Sequence, residues 1–107
     1  MSSWKISYFD EALQDYYDLE GSIRPQVAKL IQRVSKNPLP QREGGFGHEL
    51  GHKNGTNLAG CLKIKLKKAG IRIIYKLERT EQGMTVIIIG MRKDDDVYKE
   101  AARRLGR

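Results

Sequence analysis

Two groups of residues in the chain have types and spacings that could do chemistry. One is Cys61-Leu62-Lys63-Ile64-Lys65-Leu66-Lys67, which resumes after Lys68-Ala69-Gly70 as Ile71-Arg72-Ile73-Ile74-Tyr75. Side chains alternate between faces along a strand, so Leu62, Ile64 and Leu66 fall on one side and Lys63, Lys65 and Lys67 on the other. For Ile71, Ile73 and Tyr75 to share the apolar side, the connecting loop must hold an even number of residues, and Arg72 then joins the lysines. A two-faced β-hairpin with a cationic side is expected. Lysine on an edge strand often serves to discourage sheet-to-sheet pairing. A cluster of like charges on neighbouring strands, however, weakens the sheet unless an anion offsets it, and phosphate is the anion that fits.

The second group is His48-Glu49-Leu50-Gly51-His52, which matches H-E-x-x-H. That pattern serves a zinc metalloprotease when a helix brings both histidines onto one metal and the glutamate activates a bound water. Here Gly45, Gly47, Gly51 and Gly55 crowd the motif, each costing about 1 kcal/mol of helix propensity relative to alanine. Leu58 stands where the extended form of the pattern has a third histidine, and the chain has no other histidine to recruit. The expectation is a pair of loop histidines with no metal and no cofactor.

The elements that position these groups follow from periodicity. Trp4, Ile6 and Tyr8 alternate with polar residues and predict a half-buried strand. Asp10 is placed to cap a short helix with Leu13, Tyr16 and Tyr17 as its apolar stripe and Gly21 as its end. Ser22 is placed to cap a second helix, with Pro25 in its first turn and Ile23, Val27, Leu30, Ile31 and Val34 repeating until Asn37-Pro38. Residues 38–60 lose periodicity and predict a long loop flanking the site. Beyond the basic hairpin, the β-branched run from Met84 to Ile89 predicts a central strand buried on both faces and ended by Gly90. Asp94-Asp95-Asp96 then caps a last helix with Val97, Ala101 and Leu105 on its apolar side. The predicted fold is α+β, a small antiparallel sheet with an N-terminal helical hairpin and a C-terminal helix, in a single domain over residues 1–107.

The 107 residues carry a net charge of +7, which favours nucleic acid or an acidic protein as partner. Cys61 is the only cysteine, which excludes an intramolecular disulfide and fits a reducing cytoplasm. No signal-peptide pattern opens the chain, and Met84 to Ile89 is too short to cross a bilayer, so a soluble cytoplasmic protein is expected.

Lys63 and Lys65, then Gly70-x-Arg72-x-x-Tyr75, then Gly90-x-Arg92 and Val97-Tyr98, occur in an order and spacing that resemble the RelE side of the RelE/ParE toxin superfamily. The resemblance runs from Trp4 to Leu105. It implies a fold like that of the microbial ribonucleases, ribosome-dependent cleavage of mRNA without a metal, and a cognate antitoxin that wraps the toxin. The site residues it carries over are Lys63, Lys65, Arg72, Arg92 and Tyr98, and Lys67 extends the RNA-binding row. Such cleavage uses the ribose 2′-OH as nucleophile and leaves a 2′,3′-cyclic phosphate. Arg72 and Arg92 suit stabilisation of the phosphorane, because a planar guanidinium can hold phosphate oxygens through paired hydrogen bonds. Lys65 is open to two roles, general base or transition-state stabiliser. Tyr98 is open to three: proton-transfer partner, stacking platform for a base, or an amphipathic ring that closes the last helix on the sheet. Two departures stand out. The 38–60 loop is longer than in compact relatives, and Asp94 stands where some of them carry another basic residue. The ParE branch, whose members inhibit DNA gyrase without nuclease activity, is the alternative; it generally lacks the full set of lysine, arginine and tyrosine.

Overall fold

The computed structural model describes residues 3–53, 56–91 and 96–107. The chain runs through β1 (Lys5–Tyr8), α1 (Asp10–Asp18), α2 (Arg24–Val34), β2 (His48–Glu49), β3 (His52–Lys53), β4 (Thr56–Asn57), β5 (Cys61–Leu66), β6 (Ile71–Glu78), β7 (Gly83–Met91) and α3 (Asp96–Arg104). Single 3₁₀ turns lie at Gln41–Glu43 and Lys67–Ala69. One sheet has the order β1-β7-β6-β5-β2, and β3 and β4 form a separate ribbon. This is the α+β class the sequence predicts. The pairs β2–β5, β5–β6 and β6–β7 are antiparallel. β1 departs from that pattern: it runs parallel to β7, with Ile6 opposite Met84, so the sheet is mixed. A parallel pair needs a crossover connection, and the helical hairpin with the β5–β7 meander supplies it.

Helices cover both faces of the sheet. Ala12 of α1 and Val27, Ile31 and Val34 of α2 pack on Leu62, Ile64, Ile71, Ile73, Tyr75, Met84, Val86 and Ile89. On the opposite face, Val97, Tyr98, Ala101 and Ala102 of α3 pack on Cys61, Ile74, Ile87 and Ile88, joined by Leu50 and Leu58 from the 38–60 segment. Two covered faces explain why β7 reads as an unbroken apolar run. Its ladder with β6 slips at one place: Tyr75 faces Val86 but Ile74 faces Ile88, which leaves Ile87 as a bulge residue. Beyond the slip Arg72 faces Gly90. β7 continues past this glycine to Met91. The glycine is pressed against α3, since a Cβ there would lie 2.6 Å from Val97 Cγ2.

The helix ends differ from their sequence signals. Phe9, not Asp10, precedes α1, and α1 stops at Asp18, before Gly21 is reached. The side of α1 turned to the sheet is Ala12, fully buried, with the half-buried Tyr16 beside it, whereas Leu13 is 38% and Tyr17 63% exposed. A small side chain lets this nine-residue helix lie close to β7. Ile23 precedes α2 with helical dihedrals, so Ser22 does not cap it, although Pro25 does fall in the first turn. The Asp94 cap, with Arg92, lies outside the described residues.

The 38–60 segment is anchored to the sheet. Buried Tyr75 Oη donates to the Pro38 carbonyl at 2.7 Å, and Gly47 packs so tightly that a Cβ would lie 2.3 Å from that hydroxyl. At the other edge, β1 pairs with β7 only as far as Val86. Two side chains then take over. Ile89 N–H donates to Asp15 Oδ2 at 3.1 Å, and Arg104 donates to the Ile87 carbonyl at 2.9 Å while gripping Asp15 at 2.7 and 3.2 Å. Among the described residues no helix is long and apolar enough to cross a membrane.

Candidate active site

The hairpin has the register its pattern demands. Lys65 faces Arg72, Ile64 faces Ile73 and Leu62 faces Tyr75 across β5 and β6, with residues 67–70 as the even-numbered connection. Lys63, Lys65 and Arg72 therefore project from the face that α3 covers, beyond the apolar patch formed by Cys61 and Ile74. Lys67 has left the strand for the 3₁₀ turn, where it is exposed. Tyr98 comes from the first turn of α3, held close to the sheet by the fit of Val97 on Gly90.

Lys63, Arg72 and Tyr98 meet at one oxygen. Tyr98 Oη accepts from Arg72 Nη1 at 3.0 Å and from Lys63 Nζ at 3.3 Å. The Arg72 guanidinium carbon also lies 5.4 Å, and Lys63 Nζ 5.8 Å, from the centre of the Tyr98 ring. The hydroxyl and the negative face of the ring together offset part of the repulsion between neighbouring cations. The Tyr98 ring is 1% exposed and belongs to the core under α3, so in this arrangement it offers no free face to a base. Arg72 Nε is covered and has no acceptor among the described residues. Lys65, exposed, lies across from Arg72, and the two line a cavity of about 270 Å³ with Lys67 and Gly70. A larger hollow of about 760 Å³ follows the outer edge of β7, but Asp15, Asp18, Glu20, Asp96 and Glu100 line it, which is the wrong charge for a phosphate.

The H-E-x-x-H stretch is not a helix. His48 and Glu49 form β2 and His52 opens β3, with Leu50 and Gly51 between them. The one-turn-of-helix spacing that would aim both imidazoles at one metal is therefore absent. Glu49 is held by Arg42 at 2.7 and 3.2 Å, and that hydrogen bond keeps its carboxyl below the ordinary range. Arg79 does the same for Glu43. Cys61 is buried and burial pushes its thiol up, which suits a packed side chain and not a nucleophile.

His48 has a different neighbour. It pairs directly with Lys63 across β2 and β5, so its side chain joins the cationic face. Sequence reasoning left this residue without a role, because a two-residue strand has no periodicity to reveal which strand it joins.

None of the known protein-family models matches the chain. Similar proteins do exist. The mRNA interferase toxin RelE of Escherichia coli K12 is 30% identical over 98 residues, spanning 91% of this chain and 93% of that protein. In fold, a RelE toxin variant of Escherichia coli in the free state superposes with a TM-score of 0.75 at 24% identity, covering 97% of this chain and 99% of that one. The toxin in the intact Escherichia coli RelBE toxin-antitoxin complex gives 0.67 at 24% identity over 83% of this chain and 96% of that one. With identity at that level across nine-tenths of both sequences, the chain belongs to the RelE family of toxins.

Proposed function

We propose that the protein is the toxin of a type II toxin-antitoxin system, a cytoplasmic endoribonuclease that cleaves mRNA on the ribosome and is held inactive by a cognate antitoxin. The observation that carries the reading is the convergence of Lys63 and Arg72 on Tyr98 Oη beside Lys65. Family membership, the mRNA interferase activity for which the Escherichia coli relative is named and the antitoxin-bound state of a structural neighbour support it.

In this reading the ribose 2′-OH attacks the adjacent phosphorus, the 5′-oxygen leaves, and a 2′,3′-cyclic phosphate remains. Arg72 binds the non-bridging oxygens, and the added charge of the phosphorane strengthens that contact in the transition state. Arg72 Nε, which has no acceptor among the described residues, is a further donor for a phosphate oxygen. Lys65, exposed beside Arg72, serves as base or transition-state stabiliser, with Tyr98 as its proton-transfer partner through the hydroxyl. Lys63 and Lys67 hold the backbone to either side, and Arg92 contributes a second guanidinium.

The test compares wild type, Arg72→Ala, Lys65→Ala and Tyr98→Phe on a defined mRNA with and without ribosomes, reading cleaved ends by primer extension and the terminal cyclic phosphate by mass spectrometry. Wild type should cut only with ribosomes present, and Arg72→Ala should lose at least about a hundredfold in rate. Equal cleavage by all four proteins would remove the site. Inhibition of gyrase supercoiling without any RNA cleavage would move the protein to the ParE-like activity.

A further inference from the structure

β2 pairs with β5 only at Leu62 and Lys63, so among the described residues no strand covers the outer edge of β5 from Ile64 onward. At this open edge lies a shallow cavity of about 300 Å³ lined by Arg33, Phe46, His48, Ile64, Lys65 and Lys67. Phe46 is 42% exposed, and the Arg33 guanidinium carbon lies 5.7 Å from the centre of its ring. The backbone on either side of Phe46 is fixed: a Cβ on Gly45 would lie 2.0 Å from the Leu39 carbonyl oxygen, and one on Gly47 would meet Tyr75 Oη. The two glycines let the chain lie flush on the body of the protein, and the residue between them is left facing outward.

We propose that this cavity is a base-binding subsite for single-stranded RNA, with Phe46 as the stacking platform and Arg33, Lys65 and Lys67 on the adjoining phosphates. The proposal rests on the ribonuclease reading, because Lys65 belongs to both the cavity and the cationic face. Three observations select this occupant. The volume falls at the lower end of small-ligand sites, about 300–1,000 Å³, enough for a nucleotide and too small for a helix. The cations match a polyanion. The flat ring of Phe46 suits a planar base, and an acidic peptide would gain nothing from it.

The probe is a short fluorescein-labelled 2′-O-methyl RNA, which has no 2′-OH to attack, followed by anisotropy as salt is raised. Phe46→Ala should weaken binding about tenfold with an unchanged salt slope, and Phe46→Trp should restore it. Lys67→Ala should reduce the slope by about one counterion. Tyr17→Ala, which removes a still more exposed aromatic on α1, should have no effect. The proposal is overturned if Phe46→Ala binds as wild type does, if tryptophan serves no better than alanine, or if a polyglutamate peptide depends on Phe46 as strongly as RNA does. Because binding is read without cleavage, loss of the subsite and loss of the ribonuclease reading are separate results: active wild type with no Phe46 dependence sinks only the first.

Discussion

Tyr98 Oη is the acceptor for both Lys63 and Arg72, and Tyr98→Phe removes that oxygen while keeping the buried ring. Two neighbouring cations then lose their shared partner. The expected cost is about 1–3 kcal/mol in urea denaturation, less than the cost of Tyr98→Ala, which also empties the core under α3. Gly47 makes a sharper case. A methyl group there would collide with Tyr75 Oη and Leu62 Cδ2, and the Tyr75 to Pro38 hydrogen bond would have to break to admit it. Gly47→Ala should therefore destabilise by about 1–3 kcal/mol, by thermal denaturation. At this scale the sequence was informative wherever alternation applied, and Lys63, Lys65 and Arg72 share a face for the reason the pattern suggests. It could not show that His48 lies beside Lys63, or that the Tyr98 ring is too enclosed to stack on a base. Both depend on segments distant in the chain.

Among the elements, α1 and α3 close the part of β7 that β1 does not reach. Arg104, 8% exposed, bridges Asp15, Glu100 and the Ile87 carbonyl. Asp15→Ala would leave that guanidinium with Glu100 as its carboxylate partner and the Ile89 amide without its acceptor. A loss of about 1–3 kcal/mol is expected, and hydrogen exchange at Ile89 should rise before exchange at Ile73 in the centre of the sheet. Glu100 makes α3 sensitive to acid. Arg103, and then Arg104, hold its carboxyl down to about 2 against the opposing effect of partial burial, compared with an ordinary value of about 4.3 in an unfolded chain. The folded state thus gains from this group above about pH 4.3 and loses that gain as pH falls towards 2. Glu43 and Glu49 act in the same direction. The melting temperature should fall through this interval, less steeply in Glu100→Gln, which should also melt lower at neutral pH. Strong apolar periodicity made α2 and β7 legible. Of the stripe expected on α1 only Tyr16 packs on the core, because Ala12 is the fully buried residue turned to the sheet, and the strands in the 38–60 segment are too short to carry a pattern.

For the whole molecule, a net charge of +7 spread over 107 residues makes RNA affinity a function of ionic strength. Raising salt from about 50 to 200 mM should weaken RNA binding by several orders of magnitude if six or more phosphates are neutralised, and a slope near zero would mean that the excess charge serves something other than RNA. The mixed sheet, with helices on both sides, also leaves its cationic strip at one end of the face that α3 covers, and the position of that strip depends on counting. Had β6 and β7 stayed in step beyond Tyr75 and Val86, Ile89 would stand across from Arg72. The single unpaired residue at Ile87 advances β7 by one place and brings Gly90 there instead. A branched side chain at that spot would fill the space that Val97 occupies against the sheet and lift the start of α3. Chain length between Val86 and Gly90, more than the kind of residue that fills it, decides whether the tyrosine can reach the arginine at all.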